Sequence, residues 1–306
     1  MTESSDSAAW LPDEVPDDDG PSERLPWKGL FNRKGKVRPP YNPKLEAFWY
    51  RRRELFSKFD RGVRLDAESW ASVTPERLAA HMAARLTRGG HGRLVVDPFC
   101  GCGGNAIQQA VSDPTGAVLA IDVDPHKVAM ARHNARLYGV QGRILFVVGD
   151  ALSLLPRIRA DAVVLSPPWG GIDYDDSGPF DLSRDMAPCC GFRIFEAACA
   201  AAPAVAYYLP KNTNRAQIAQ LAARHASRAC ELQRVVRHTA ASGSGRKPKS
   251  KVLVAFFDAP DPAVAPGVRE VAVDDPDGGS SADARDDDER SSTTTVSPPR
   301  QHIRFE

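Results

Sequence analysis

The chain has 306 residues, 42% of them hydrophobic, six cysteines and a formal net charge of +1, enough for one substantial core and a small appended subdomain. No stretch approaches the roughly 20 consecutive apolar residues of a membrane span, and none resembles a signal peptide. The C-x-C and C-C cysteine pairs lack the histidine spacing of zinc sites. We therefore expect no membrane and no metal partner, and a reducing intracellular compartment.

Charge is distributed unevenly along the chain. Residues 1–20 carry seven acidic and no basic side chains, whereas residues 21–64 carry thirteen Lys or Arg against four Asp or Glu. A basic segment between acidic ends is compatible with a phosphate-bearing partner. Residues 1–42 and 259–306 are rich in Asp, Pro, Gly and Ser without hydrophobic periodicity, and both segments are predicted to be disordered.

A small helical subdomain is predicted over residues 43–90. Aromatic and leucine side chains in residues 44–59 fall on one helical stripe. Thr74 then precedes Pro75, a pattern typical of an N-cap followed by proline at the first helical position. A second helix is therefore expected from this point to about Leu86.

Strands and helices alternate through residues 91–258, the predicted main domain. The first five predicted strands are "RLVVDP", "AVLAID", "RILFVVGD", "DAVVLS" and "AVAYYLP", each followed by helical sequence. Two more strands, around 229–238 and 251–257, have no helix between them. This order predicts an α/β fold with a mostly parallel seven-stranded sheet that ends in an antiparallel hairpin.

The first strand ends in Asp97 and leads into a glycine-rich turn, "FCGCGGN", that opens a helix. Gly101 and Gly103 would let the backbone approach a ligand closely. The spacing matches neither G-x-G-x-x-G nor a Walker sequence, and Asp97 would repel a phosphate. A carboxylate here suits the cationic amino-acid end of a ligand; a tight turn without any ligand is the alternative.

Two more strands end in acids. Asp122 lies about 25 residues after Asp97, where dinucleotide-binding folds hold ribose hydroxyls. Asp150 ends the third strand and either faces the base of a ligand or caps the next helix. A ribose site without a pyrophosphate site indicates a nucleoside cofactor, and three acids lining one crevice fit S-adenosylmethionine.

The fourth strand leads into "LSPPWGGIDY", residues 165–174. Ser166 Oγ and the Pro167 carbonyl can accept the two N–H bonds of an exocyclic amine, while the prolines stiffen the loop in advance. Trp169 can stack on the base that carries the amine. The pattern is typical of methyltransferases that modify exocyclic amines, and a proline-rich turn around a buried tryptophan is the alternative.

Together these motifs resemble the trimethylguanosine synthase family. The resemblance covers about residues 48–257 and includes "LFSKFDRGVRLDAESWASVTPERLA", "DPFCGCGGNAIQ", "AIDVDPHKVAMARHNARLYG", "SPPWGGIDY" and "YYLPKN". It implies a class I, Rossmann-like methyltransferase fold with S-adenosylmethionine as cofactor. It also implies methylation of the exocyclic N2 of an N7-methylguanosine RNA cap, giving 2,7-dimethyl- and 2,2,7-trimethylguanosine caps.

The resemblance assigns roles to individual residues. Those implied to contact the cofactor or frame its pocket are Phe56, Thr74, Asp97, Asn105, Asp122 and Asn134. Trp169 would stack on the methylated guanine, and because that base is cationic the indole face gains about 0.5–2 kcal/mol over plain guanine. Tyr174 and Lys211 would meet the cap phosphates.

Two positions depart from the family pattern. A lysine that reaches a cap phosphate is replaced by Ala47, and Lys44, one helical turn earlier, is the candidate substitute. Lys211 stands in place of an arginine, which keeps the charge but loses bidentate geometry. Both changes would affect cap affinity rather than methyl transfer.

The implied partners are m7G-capped small nuclear and nucleolar RNAs, with snRNP or snoRNP proteins for recruitment. The implied location is the nucleus, in nucleolar or Cajal-body-like compartments, with the cytoplasm as a second location. Two alternatives stay open. One is a methyltransferase acting on adenine N6 or another exocyclic amine, and the other is a catalytically silent cap-binding module.

Overall fold

The computed structural model describes residues 9–10, 43–90, 93–171, 174, 177–226, 229–237, 249–258 and 267–274. The α-helices in these residues are α1 Pro43–Tyr50, α2 Arg52–Leu55, α3 Ser69–Ser72, α4 Glu76–Arg88, α5 Gly104–Ser112, α6 Pro125–Tyr138, α7 Ala151–Leu154, α8 Gly191–Ala201 and α9 Arg215–Arg224. The strands are β1 Ala9–Trp10, β2 Leu94–Asp97, β3 Ala117–Asp122, β4 Ile144–Val148, β5 Ala162–Leu165, β6 Ala204–Pro210, β7 Ala229–Arg237, β8 Lys249–Phe257 and β9 Gly267–Asp274.

All nine strands belong to one sheet, in the order β1-β4-β3-β2-β5-β6-β8-β7-β9. Strands β2 to β6 pair in parallel, and β8 runs antiparallel to both β6 and β7. The predicted mostly parallel sheet and its C-terminal hairpin are therefore confirmed. Chain order reverses between β2 and β5, the point at which an open α/β sheet forms a crevice beyond its carboxyl ends.

Alternate residues of the strands face different helices, as a sheet covered on both sides requires. Val163 and Leu165 of β5 pack in a cluster with side chains of α8 and α9, whereas Ala162 and Val164 pack with side chains of α4. Helices α5 and α6 pack on β3 beside the N-terminal subdomain. The result is a three-layer α/β core. Within the described ranges, no helix combines the length and apolar character needed to cross a membrane.

Two strands lie in segments that were predicted to be disordered. Strand β1 pairs with β4, and β9 pairs in parallel with β7. The expectation for 259–306 is therefore wrong over Gly267–Asp274. This stretch carries valines at positions 268, 271 and 273, and Glu270 forms ion pairs with Arg215 and Arg234. The acidic average composition of residues 259–306 predicted disorder even though the segment contains this eight-residue strand.

The N-terminal subdomain also differs from the predicted pair of helices. The stripe over 44–59 is divided between α1, α2 and a 3-10 turn at Phe59–Arg61. Folding back lets Trp49 pack against both Phe59 and Trp70, with each pair of ring centroids 5.8 Å apart. Thr74 does not cap α4, which begins after Pro75 without a side-chain cap.

Candidate active site

A cavity of about 370 Å³ opens at the carboxyl ends of the parallel strands. Its walls come from the glycine-rich turn after β2, from the ends of β3, β4 and β5, and from residues 68–74 of the N-terminal subdomain. The predicted site residues on its walls are Thr74, Gly101, Asn105, Asp122, Asp150, Ser166, Pro167 and Trp169. The cavity therefore brings the predicted nucleoside and amine sites together in one chamber.

Asp122, at the end of β3, holds the glycine-rich turn in place. Its Oδ2 accepts a hydrogen bond from the Gly101 amide at 2.9 Å, and its Oδ1 accepts one from the Asp124 amide at 3.0 Å. Burial raises the pKa of this carboxyl above its usual value, although the two amides oppose the rise. Each oxygen retains a further acceptor position, which suits the hydroxyls of a ribose.

Asp97, at the end of β2, lies behind the cavity wall rather than on it. The side chain is fully buried, and neither oxygen has a hydrogen-bond partner of normal geometry in the described residues. Burial, and secondly the charge of Asp122, raises the pKa of Asp97 to about 7, while the nearby amides of Phe99 and Ala106 offset part of the rise. A cationic ligand group would stabilise the ionised form.

Asn105, in the first turn of α5, joins two of the predicted residues. Its Nδ2 donates to Thr74 Oγ1 at 3.2 Å and to Ser166 Oγ at 3.0 Å. Its Oδ1 is buried without a partner in the described part of the chain. The contact accounts for the hydroxyl of Thr74, which the sequence pattern had assigned to a helix cap.

Ser166, Pro167 and Trp169 follow β5 directly and face the cavity. The half-buried indole of Trp169 meets Tyr174 edge to face and lies 6.0 Å from the ring of Tyr208, with the planes at 41°. Gly170 has a φ of 118°, and a Cβ there would lie 3.0 Å from Tyr174 Cα. Glycine therefore allows the loop to turn tightly around the indole.

Three predicted cofactor residues frame the site without lining it. Asn134 is fully buried; it accepts from the Arg64 amide and donates to the carbonyls of Arg64 and Cys102. A Cβ at Gly103 would lie 3.1 Å from Ala131 of α6, so this glycine serves helix packing rather than ligand approach. Phe56 is a core side chain beside the same turn.

The residues predicted to meet phosphates lie outside the cavity wall. The hydroxyl of Tyr174 donates to Asn212 Oδ1. Lys211 is half-buried in the turn after β6. Lys44 belongs to α1, but its side chain lies outside the described residues. The residues predicted to meet phosphates therefore lie beyond the cavity that holds the predicted base and cofactor residues.

Asp150 caps the N-terminus of α7, which was one of the two roles predicted for it. Its Oδ1 accepts from the Leu152 amide at 3.1 Å and its Oδ2 from Ser153 Oγ at 2.7 Å, at the start of α7. It also lines the cavity, so the capping role does not remove it from the site.

Val123, Lys127 and Glu68 are among the wall residues that sequence reasoning missed. Val123 is 72% exposed although it is apolar, and it lies on the cavity wall directly after Asp122. Lys127 of α6 forms an ion pair with Glu68 at 2.6 Å on the same wall. Val123 could have been found from the sequence, because it directly follows Asp122. The pairing of Lys127 with Glu68 could not, because the two residues are 59 positions apart in the chain.

The residues present fit S-adenosylmethionine. The carboxyl of Asp97, buried directly behind the cavity wall, can stabilise a cationic methionine end through its charge. Asp122 suits the ribose, and Val123 offers an apolar surface to the base. Among the described residues, no cluster of three or more His, Cys, Asp or Glu side chains could hold a metal ion. The site thus has the recognition groups for a nucleoside bearing a charged amino acid.

Comparison with known proteins agrees with this assignment. A family model described as RNA cap guanine-N2 methyltransferase matches residues 92–258. The chain belongs to this family. It is accordingly a methyltransferase that uses S-adenosylmethionine and acts on N2 of the cap guanine, and the match supports neither the adenine-N6 alternative nor the silent cap-binding module.

Curated relatives of the family include two proteins named trimethylguanosine synthase. The one from Schizosaccharomyces pombe is 38% identical over 193 residues, which are 61% of this chain and 79% of the relative. The one from Saccharomyces cerevisiae is 34% identical over 190 residues, 60% of each chain.

Solved structures of similar fold include two methyltransferases. A SAM-dependent methyltransferase from Agrobacterium tumefaciens has a TM-score of 0.46 at 14% identity, covering 61% of this chain and 63% of that one. A SAM-dependent O-methyltransferase from Thermotoga maritima has a TM-score of 0.44 at 12% identity, covering 67% and 71%.

Proposed function

We propose that this protein methylates N2 of an N7-methylguanosine cap twice in succession, and that its substrates are small nuclear and nucleolar RNAs. The observation that carries the proposal is the convergence of Ser166, Trp169 and Asp122 on one cavity. An amine acceptor, an aromatic platform and a ribose site share a single chamber. The names of the two curated relatives support the trimethylated product.

The loop after β5 holds the base during transfer. In the proposed complex Trp169 fixes the ring plane, while Ser166 Oγ and the Pro167 carbonyl accept the two N–H bonds of the exocyclic amine. When bound, S-adenosylmethionine supplies a methyl group activated by its positive sulfonium. Holding two reactants in line is worth several kcal/mol, and rigid prolines reduce the reorganisation that alignment requires.

Proton removal does not have to precede methyl transfer. As N2 gains the methyl group, the bonding pair to the methyl would stay on the cofactor's sulfur, which would leave as a neutral thioether, and the extra proton on N2 would then pass to water. Ser166 therefore acts as an acceptor that orients the amine rather than as a base. After one transfer the amine still carries one N–H, which either acceptor can hold in a second round.

Selection for a previously methylated guanine follows from Trp169. N7-methylguanine is cationic, and a cation over an indole face gains about 0.5–2 kcal/mol. The flanking rings of Tyr174 and Tyr208 hold the indole in one orientation. N7 methylation therefore comes first in the proposed reaction order.

Recruitment and location belong to the same proposal. Lys211, Tyr174 and the basic segment 24–64 would hold the cap and RNA phosphates, with snRNP or snoRNP proteins bringing the substrate. The reaction would then occur in the nucleus, in nucleolar or Cajal-body-like compartments, with the cytoplasm as a second site. A basic segment of this density supports attraction to RNA phosphates.

Product mass tests the number of transfers. The protein is incubated with excess cofactor and a short m7GpppA-capped RNA, and the cap is released by nuclease and weighed. The expected product carries two added methyl groups on the guanine. A product that stops at one added methyl contradicts the trimethylguanosine assignment, and methyl groups found on internal adenines contradict the cap assignment.

A further inference from the structure

Asn105 lies where the N-terminal subdomain meets the loop after β5. It is 6% exposed, and its two amide hydrogens are directed at two hydroxyls from opposite walls of the cavity. Thr74 Oγ1, 3.2 Å away, belongs to the subdomain; Ser166 Oγ, 3.0 Å away, belongs to the main sheet. One side chain therefore connects three separate segments of the chain.

The backbone around this side chain has little freedom to move. A Cβ at Gly104 would lie 2.7 Å from Val73 Cγ2 and 3.5 Å from the Thr74 carbonyl. The first turn of α5 is therefore in contact with the subdomain, and only glycine permits that approach. Asn134 fastens the same subdomain to the glycine-rich turn through Arg64 and Cys102. Thr74 is thus held at a fixed distance from Asn105.

We propose that Asn105 is a positioning residue that directs the lone pairs of Ser166 Oγ, and that Thr74 holds Asn105 in the orientation this requires. A serine hydroxyl has two lone pairs and rotates among staggered positions when nothing restrains it. The Asn105 amide occupies one lone pair, which leaves the other for the amine of the base. The inference rests on the proposed function, in which Ser166 accepts that amine.

The consequence is that a subdomain hydroxyl controls the rate of methyl transfer. Thr74 hydrogen-bonds to Asn105, and Asn105 to Ser166, so loss of the Thr74 hydroxyl loosens the acceptor without removing it. The maximal rate should fall while cofactor affinity stays the same. If Thr74 contacted the cofactor directly, as the family resemblance implies, loss of its hydroxyl would instead weaken cofactor affinity.

Thr74→Val tests this, since it removes the hydroxyl and keeps the shape. Loss of one neutral hydrogen bond predicts that kcat for m7GpppA falls about three- to tenfold. The Kd for S-adenosylmethionine, measured by calorimetry, should stay within about twofold. Thr74→Ser should restore kcat. Thr87→Val is the matched control, because it removes a Thr–Ser contact of 3.2 Å to Ser112, away from the cavity.

A second measurement does not depend on activity. Free energies of unfolding of the ligand-free protein are compared for Thr74→Val, Ser166→Ala and the double variant. If Asn105 links the two hydroxyls, the single effects do not add, and additivity returns in an Asn105→Ala background.

The two readouts separate failure of this inference from failure of the proposed function. Unchanged kcat in Thr74→Val, or a change confined to cofactor Kd, overturns the inference, as does additivity in the unfolding cycle. An inactive wild-type protein with a coupled unfolding cycle overturns the proposed function and leaves the Thr74–Asn105–Ser166 link in place.

Discussion

The rings of Trp169 and Tyr174 meet edge to face, with centroids 4.8 Å apart and planes at 81°. The Tyr174 hydroxyl is itself held by Asn212, from the turn after β6. The indole is therefore oriented before any base arrives. Because an oriented platform has less freedom to lose on binding, this arrangement favours tight stacking.

Trp169→Ala should remove the platform and with it the preference for methylated guanine. We expect methyl transfer to m7GpppA to fall by about 100-fold or more, because the base is no longer aligned with the methyl group. Trp169→Phe keeps a smaller aromatic face and should retain more activity. Rates on m7GpppA measured with labelled cofactor check both, and full activity in Trp169→Ala would show that another residue aligns the base.

Tyr174→Phe separates the two contacts of Tyr174. The ring remains against Trp169, so kcat should change little. In the proposed complex the Tyr174 hydroxyl turns from Asn212 to donate to a cap phosphate, so its loss should raise KM for m7GpppA by about two- to tenfold. Tyr174→Leu removes the edge contact as well and should lower kcat. A Phe variant with reduced kcat and unchanged KM would indicate that the Asn212 contact, not a phosphate, is what matters.

Asp122→Ala should weaken cofactor binding by about 10- to 100-fold. The carboxylate holds two backbone amides of the surrounding turns and offers acceptors to the ribose, so its removal loses charge-assisted hydrogen bonds on both sides. Asp122→Asn should be less severe. Calorimetric titration with S-adenosylmethionine gives the Kd values. Asp113→Asn, on an exposed turn, is the control expected to bind like the wild type.

Asp97 should make the ligand-free protein less stable as pH rises. Its pKa is about 7 in the folded state and about 3.9 in an unfolded chain. Between these values the folded state holds a proton that the unfolded state has lost, so the free energy of unfolding falls with rising pH. Asp97→Asn should flatten this decline.

Urea unfolding at pH 5 and pH 8 measures the effect of Asp97 as a difference between the two proteins. An equal decline in wild type and Asp97→Asn would mean that this carboxyl is not the group responsible. Asp113→Asn is again the control, because hydrogen bonds from Thr115 lower the pKa of Asp113. Its carboxylate is ionised in both the folded and the unfolded protein at pH 5 and at pH 8, so this variant should show the same decline as the wild type.

The main sheet was predictable because its signals are local. Strands β2 to β6 are short apolar runs; β2 and β3 end in an acid, and Asp150 follows two residues after β4. Strand β9 was missed because its eight residues lie in a long acidic segment whose average composition is typical of disorder. Its ion pairs to Arg215 and Arg234 join residues distant in sequence, which no local pattern could indicate.

The sequence indicated several of the residues that line the cavity, but not the contacts that connect them. Ser166, Trp169 and Asp122 carry motifs that indicate their chemistry. The Asn105 contact with Thr74 spans 31 positions, and the one with Ser166 spans 61. The sequence before Pro75 is typical of an N-cap, so the local pattern favoured the wrong partner for Thr74. Tyr208 was missed as a support for Trp169 for the same reason, since β6 meets β5 only in the folded sheet.

The proposed function requires that the methyl group goes to N2 of a guanine already methylated at N7. The most direct measurement compares initial rates of labelled methyl transfer from S-adenosylmethionine to m7GpppA and to GpppA at equal concentration, with the modified atom located by nuclease digestion. We expect label on guanine N2 of m7GpppA and little on GpppA. Equal rates on both caps, or label on the adenine, would contradict the proposed function.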